Sequence, residues 1–357
     1  MSAQRISKLR QFLKKENLDA IIISNADHVR YLSGYTGSNG LLVVDHRQAH
    51  FFTDFRYVTQ SKTEVKGARI SFPGRSLAVG LKNVPSLHRR YATIGYECDY
   101  TTIAQRQEFA QNLNGSLLAP TRGVVEALSM VKDRGELALI EKAVKITDAA
   151  FAHALTFVKP GVREMELAAE LEYFMKLNGA SGPAFETIIA SGARSALPHG
   201  VATHKKVAKG DFITFDFGAK YNGYVSDMTR TVVVGKASAR QKKIYSLVLK
   251  AQKAAISRIK SGRPAAEVDK AARAVISKAG HGKRFGHGTG HGIGYYVHVG
   301  PRVAETSQDI LRSGMVITIE PGVYIPDWGG VRIEDDVVVT ANGGRILNKS
   351  PKDLLEL

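Results

Sequence analysis

Apolar residues in the first sixteen positions recur at helical spacing, as Ile6, Leu9, Phe12 and Leu13, and the unbroken run Ala20-Ile21-Ile22-Ile23 follows them. The first pattern predicts an amphipathic helix over 4–16 and the second a buried strand. Further strand-like runs at Leu41–Val44 and His50–Thr53 alternate with helical stretches at 55–62 and 102–113. This opening part reads as a small α/β domain. Gly34, Gly37 and Gly40 within it read as turn residues, because no helix opening on Lys-Ser/Thr follows them as a phosphate cradle requires.

The pattern breaks around Ala119-Pro-Thr-Arg-Gly123, which divides the chain into an amino-terminal domain, 1–123, and a larger domain, 124–357. Leu139, Ala143, Ile146 and Ala150 then line one side of a helix predicted over 135–157, which Lys159-Pro160-Gly161 stops. Helices are also predicted over 163–178, 238–260 and 264–279, with Gly179, Gly262 and Gly280 at their ends. Strand-like segments lie between and beyond them. The second part therefore reads as an antiparallel sheet covered by helices, an α+β arrangement.

Several of those segments carry candidate chemistry. Phe212-Ile-Thr-Phe-Asp-Phe-Gly218 alternates strictly, which sets Asp216 and Thr214 on the face opposite Phe215 and Phe217. Asn222-Gly223 is a two-residue hairpin signal that places Asp216 opposite Thr229, with Asp227 one diagonal step away on the same face. Two carboxylates that close repel, so either one is protonated or a cation lies between them. The alternative is that Asp227 caps the turn in Ser226-Asp-Met-Thr and Asp216 faces water. The stretch Gly286-His-Gly-Thr-Gly-His-Gly-Ile-Gly294 has five glycines in nine residues, a composition suited to close backbone approach. His291 and His287 both stand in it, and spacing does not choose between them. Met315-Val-Ile-Thr-Ile-Glu320 and Gly330-Val-Arg-Ile-Glu334 are strands that each deliver a Glu to an end or polar face, and all four segments can lie side by side in one sheet. Four carboxylates and one imidazole suit a pair of divalent cations, and a two-metal hydrolase follows if they converge.

A length of 357 residues fits two domains, and 44% hydrophobic with 23% charged residues describes an ordinary globular protein. The net charge of +17 raises a nucleic-acid reading. Its spread weakens that reading: residues 1–124 hold 17 Lys/Arg against 9 Asp/Glu and residues 125–357 hold 33 against 24. With no basic tail and no aromatic-interleaved Arg run, a solvated basic surface is expected, with no nucleic-acid partner. Steering of a carboxylate-bearing substrate stays open. No segment is long and apolar enough to span a bilayer, and residues 1–15 lack the apolar stretch of a secretory signal. The single Cys98 excludes an intrachain disulfide, so a cytoplasmic location without membrane attachment is expected.

Together, the order of the five candidate ligands and their flanking motifs resemble the pita-bread metallopeptidases, the family of methionine aminopeptidase, aminopeptidase P and prolidase. The likeness covers roughly residues 125–357. It implies that Asp216 chelates one metal, that Asp227 and Glu334 bridge two, and that His291 and Glu320 complete the second. It also implies catalytic roles for His199 in Leu197-Pro-His-Gly and His298 in Val297-His-Val, with Glu320 as proton shuttle. The opening residues resemble the creatinase/prolidase amino-terminal domain, which argues against methionine aminopeptidase. Phe185-Glu-Thr-Ile-Ile-Ala-Ser-Gly and Ser195-Ala-Leu-Pro-His-Gly are similar to the proline-specific members. The resemblance implies two divalent ions, manganese first with cobalt or zinc as alternatives, a homodimer, and small proline-containing peptides as substrates. Prolidase, acting on Xaa-Pro dipeptides, is the first expectation and aminopeptidase P, acting on Xaa-Pro-Yaa, the second. A noncatalytic basic binding protein on this scaffold is a third. Arg302 stands where prolidases keep an Arg for the substrate carboxylate, though a surface ion pair is the other reading. Two departures concern the pocket: Val299 follows His298 where many relatives have Glu, and Tyr295, a candidate substrate contact, follows the Gly-rich segment.

Overall fold

In the computed structural model, which describes residues 2–74 and 76–357, the opening amphipathic segment is helix α1 (Ser2–Lys15), with Ile6, Leu9 and Leu13 buried. Residues 1–129 form one compact unit and 130–357 a second. In the first, strands β1 (Ala20–Ile23), β2 (Leu41–Asp45), β3 (Ala49–Phe52), β4 (Arg69–Ser71), β5 (Thr93–Glu97) and β6 (Leu117–Thr121) form one mixed sheet in the order β4-β3-β2-β1-β5-β6. All four residues of β1 are buried, as suits a central strand covered on both faces. Helix α2 (Ala26–Ser33) starts on Asn25, whose side chain accepts from the Asp27 and His28 amides, and ends on Gly34 at φ 87. The stretch expected as a helix from 55 opens instead as a 3₁₀ turn, because Asp54 caps Arg56, before α3 (Val58–Glu64). Helices α4 (Ile103–Gln111) and α5 (Val124–Ser129) complete the unit.

The second unit opens with α6 (Arg134–Leu155), set by an Asp133/Glu136 capping box, and α7 (Glu164–Leu177). Strands β7 (Gly182–Pro183), β8 (Ile188–Ser191), β9 (Phe212–Phe217), β10 (Ala219–Tyr221), β11 (Tyr224–Val225) and β12 (Met228–Val233) follow. Two helices, α8 (Ala239–Ile256) and α9 (Ala265–Lys278), pack on each other before β13 (Gly290–Gly292), β14 (Val299–Val303), β15 (Val316–Ile319), β16 (Gly322–Ile325), β17 (Gly329–Arg332), β18 (Asp335–Val339) and β19 (Gly344–Ile346). The resulting antiparallel sheets, β12-β9-β8 and β14-β13-β15-β18-β19, are each backed by helices through an apolar cluster. This is the pita-bread α+β architecture. Among the described residues no helix is long and apolar enough to cross a membrane.

The predicted register holds: Asp216 pairs with Thr229. The Asn222-Gly223 turn, however, closes a separate short hairpin of β10 and β11. The chain bends at Gly218, where a Cβ would lie 1.8 Å from the Ser226 carbonyl oxygen, so only glycine fits. The expectation of one common sheet is corrected. Asp216 lies in the β12-β9-β8 sheet with Asp227 just before β12, whereas His291 lies in the five-stranded sheet with Glu320 just after β15. The ladder breaks between Ile319↔Asp335 and Gly322↔Arg332, because Pro321 has no N–H to continue it. Glu320 and Glu334 face each other across that break.

Candidate metal centre

From this framework, four carboxylates and an imidazole converge. Ligand atoms of Asp227, His291 and Glu334 all lie within 4.8 Å of one another. The His291 Nε2 atom is 3.3 Å from Glu320 Oε1 and 3.6 Å from Asp227 Oδ2. Asp216 reaches the same group through Arg332, whose Nη2 donates to Asp216 Oδ2 at 2.5 Å. The choice between the two histidines of the Gly-rich segment is thereby made by geometry. His287 turns aside, its Nε2 2.9 Å from the Tyr324 hydroxyl. Close backbone approach is real in this segment: a Cβ on Gly290 would meet Thr318 O at 2.0 Å, and one on Gly292 would meet Gly300 O at 2.1 Å.

The electrostatics test whether divalent cations fit. Burial, then the charge of Glu334, pushes Asp227 well above the usual carboxylate range. Burial, then Glu320, does the same to Glu334, and burial raises Asp216 although Arg332 opposes it. Glu320 behaves differently: burial works to raise it, but the bond to His291 and nearby cations bring it down to about 2. Buried carboxylates this close hold protons unless cations neutralise them. Asp227 Oδ1 is buried with no hydrogen-bond partner. A buried carboxylate oxygen left without a donor on a residue of such a cluster is what a cation ligand looks like. The residues present fit a pair of hard or borderline divalent ions.

A hydrogen-bonded frame orients these groups. Thr229 Oγ1 donates to Glu334 Oε2 at 2.6 Å and accepts from Arg332 Nε at 3.0 Å. Arg332 Nη1 donates to the Tyr324 hydroxyl at 2.8 Å. Thus Arg332 ties Asp216, Thr229 and Tyr324 into one frame. The Asp227 amide donates to Asp336 Oδ2 at 2.9 Å, and the Glu320 amide donates to Thr289 O at 2.8 Å. Thr289 is in turn held by Asp269, through its amide at 3.0 Å and its hydroxyl at 2.8 Å. The sequence reading named Thr229 only as the cross-strand partner of Asp216, and it did not name Tyr324, Asp336 or Asp269. Asp336 had a readable signal, as the third acid in Glu334-Asp-Asp.

Of the noncluster residues, His298 lies with its ring centroid 4.3 Å from that of His291, and burial together with the His291 charge lowers its pKa. His199 is exposed on the loop after a 3₁₀ turn (Gly192–Ala196), near enough for its charge to act on Asp216, His287 and His298. Arg302 pairs with His291 across the β13–β14 ladder, which sets both side chains on one face. Its side chain is exposed and makes no ion pair among the described residues. Tyr295 packs with its ring 4.4 Å from that of Tyr224 and against the apolar cluster around Ile140 and Ile293.

Comparison with known proteins gives a consistent picture. The profile described as metallopeptidase family M24 matches residues 138–341, and that described as creatinase/prolidase N-terminal domain matches 5–131. The chain is 44% identical to an uncharacterized peptidase, YqhT, of Bacillus subtilis, over 99% of this chain and all of that one. It is 39% identical to an Xaa-Pro dipeptidase of Pyrococcus furiosus, over 99% of each. Among solved structures, an Xaa-Pro dipeptidase from Bacillus anthracis superposes with a TM-score of 0.96 at 41% identity, covering all of both chains. An X-Pro aminopeptidase from Thermotoga maritima superposes with a TM-score of 0.90 at 36% identity, over 96% of this chain and 98% of that one.

Proposed function

We propose, from the premise that the chain belongs to metallopeptidase family M24, that it hydrolyses the Xaa-Pro bond of dipeptides with the help of two divalent metal ions. The observation that carries this reading is the convergence of Asp227, His291 and Glu334, in which Asp227 keeps a buried carboxylate oxygen without a hydrogen-bond partner. Asp216 would hold one ion, Asp227 and Glu334 both, and His291 with Glu320 the second. The carboxylate-rich set favours manganese over cobalt or zinc. Bound there, the ions would polarise the scissile carbonyl and acidify a water molecule so that it can attack near neutral pH.

The chain's own residues do the rest. A Glu320 carboxylate oxygen takes the proton released by the attacking water and passes it to the departing imino nitrogen. His199 and His298 donate hydrogen bonds to the oxygen that gains charge as the carbonyl becomes tetrahedral, each contributing roughly 3–4 kcal/mol. Proline has no N–H to offer, so recognition of its side of the bond rests on ring shape. Arg302, on the same face as His291 and without an ion pair among the described residues, would take the free carboxylate of a dipeptide bidentately. Names carried by relatives support both dipeptidase and aminopeptidase activity. Turnover of an Xaa-Pro dipeptide and an Xaa-Pro-Yaa tripeptide by manganese-loaded protein separates them. Preference for the dipeptide is expected, preference for the tripeptide would replace it with aminopeptidase P, and absence of both metal binding and turnover would end the enzyme reading.

A further inference from the structure

Glu164, the first residue of α7, is fully buried and takes no part in the carboxylate cluster. Both its oxygens are spent on one surface loop. Oε1 accepts from the Ser191 amide and hydroxyl, each at 2.8 Å. Oε2 accepts from the Thr203 amide at 3.1 Å, from the Thr203 hydroxyl at 2.7 Å, and from Arg194 Nη1. Arg194 Nη2 donates onward to Val201 O at 2.8 Å, and the Val201 amide donates to His199 O at 2.9 Å. One carboxylate therefore holds both ends of the segment 191–203, and its cationic partner holds the middle. His199 is carried on the exposed part between them.

Burying a carboxylate is unfavourable unless charged and polar donors satisfy it, and an apolar side chain would fill the same volume without that requirement. What the carboxylate adds is direction: five donors from three residues fix the loop in one conformation. The loop is also tied to the centre, because the Gly330 amide donates to Ser195 Oγ at 2.9 Å on the strand that leads to Glu334.

We propose that Glu164 is a positioning residue for the hydrolytic reaction, holding the loop 191–203 so that the His199 imidazole stands at the cluster when substrate binds. The inference rests on the metallopeptidase reading and on the role given there to His199. It is distinct from packing, since it requires Glu164 to act through His199 and through no other group.

The test uses the metal-loaded full chain with the variants Glu164→Gln, Thr203→Val, Thr203→Ser and His199→Ala, and measures loop amide exchange as well as kinetics. Glu164→Gln and Thr203→Val should speed exchange across 191–203 while β9 and β15 keep wild-type protection. On an Xaa-Pro dipeptide, kcat should fall about 10- to 100-fold with KM within about twofold, and Thr203→Ser should restore it. Introduced into His199→Ala, the same changes should cost less than about threefold more, because the group they position is already gone. Independent, multiplicative losses in that background, or wild-type exchange in the loop of both variants, overturn the proposal. Should Glu164→Gln fail to fold, the Thr203 pair carries the same comparison. A wild-type protein with no peptidase activity would instead sink the functional reading, and loop exchange would then decide alone whether Glu164 holds the loop.

Discussion

Replacing Asp227 by asparagine should act with opposite signs on the metal-free and metal-loaded protein. Asp227 Oδ1 has no hydrogen-bond partner, so the isosteric amide removes charge without removing a recorded bond of that atom. Its carboxylate lies within 4.8 Å of a Glu334 oxygen. Two unit charges at that separation and an effective dielectric near 20 repel by about 3.5 kcal/mol, and partial protonation lowers the realised value to roughly 1–3 kcal/mol. Without metal the variant should therefore melt higher, by roughly 3–8 °C for a unit of this size. Burial and then the charges of neighbouring carboxylates, Glu334 for Asp227 and Glu320 for Glu334, raise both groups above their unfolded values. The folded protein then binds more protons than the unfolded one, and metal-free stability falls as pH rises from the ordinary carboxylate range. The variant's advantage should accordingly be small near pH 5 and grow toward pH 8. With metal the sign reverses: wild type gains about 2.7 kcal/mol at a hundredfold excess over Kd, and the variant loses most of that gain. Calorimetry in chelator and in manganese, at both pH values, reads all of this. A lower melting point than wild type in chelator at pH 8, or an undiminished rise with manganese, would refute the reasoning.

Three further outcomes follow from other parts of the molecule. Arg302→Met should raise KM for an Xaa-Pro dipeptide about 10- to 100-fold and leave an Xaa-Pro-Yaa tripeptide within a few-fold, as steady-state kinetics would show; equal losses on both would mean the guanidinium does not read the free carboxylate. Gly218→Ala forces a Cβ to within 1.8 Å of Ser226 O. It should destabilise the second unit by about 2–4 kcal/mol in thermal melts, and an unchanged melting point would show that the bend relaxes freely. Helix α8 carries Arg240, Lys242, Lys243, Lys250 and Lys253 with no carboxylate, and the first three crowd the end of the helix that disfavours cations. Raising NaCl from about 10 to 300 mM should raise the melting point, and Lys243→Glu should raise it at low salt; a fall with salt would remove self-repulsion as a factor.

The legible parts of this chain are those governed by local rules. Alternation through Phe212–Phe217 and the Asn222-Gly223 turn were enough to pair Asp216 with Thr229, because strand period and turn length leave one register. Helix starts were close for the same reason: Thr102, Asp133 and Ser238 cap them through their own side chains. What escaped was nonlocal. Nothing adjacent to Glu164 or Asp269 in sequence shows that each carboxylate clamps a loop, since their partners lie up to 39 and 20 residues away. Charge is also unevenly spread within the second part. Residues 236–284 hold 14 Lys/Arg against 2 Asp/Glu, so +12 of the net +17 falls on the α8–α9 layer and the segments flanking it.

The single-sheet expectation failed for a reason that bears on how such a centre can be built at all. A regular sheet sends side chains of one face out nearly parallel, and parallel groups cannot converge on a point. Convergence here comes from interruption. Asp227 sits between β11 and β12, Glu320 between β15 and β16, and Glu334 between β17 and β18, each in a short step without ladder pairing. His291 sits at a register shift, and Asp216 stands two residues before the bend at Gly218. The glycines and Pro321 that weaken the strands as strands are thus what allow five donors from two layers to meet. Substitutions that regularise those breaks should therefore damage metal affinity more than substitutions of equal thermal cost elsewhere in the same sheets. Comparing Gly218→Ala with a core change of matched melting point, such as Val232→Ala on β12, tests that directly by manganese titration; equal metal affinity in the two variants would show that the breaks are incidental.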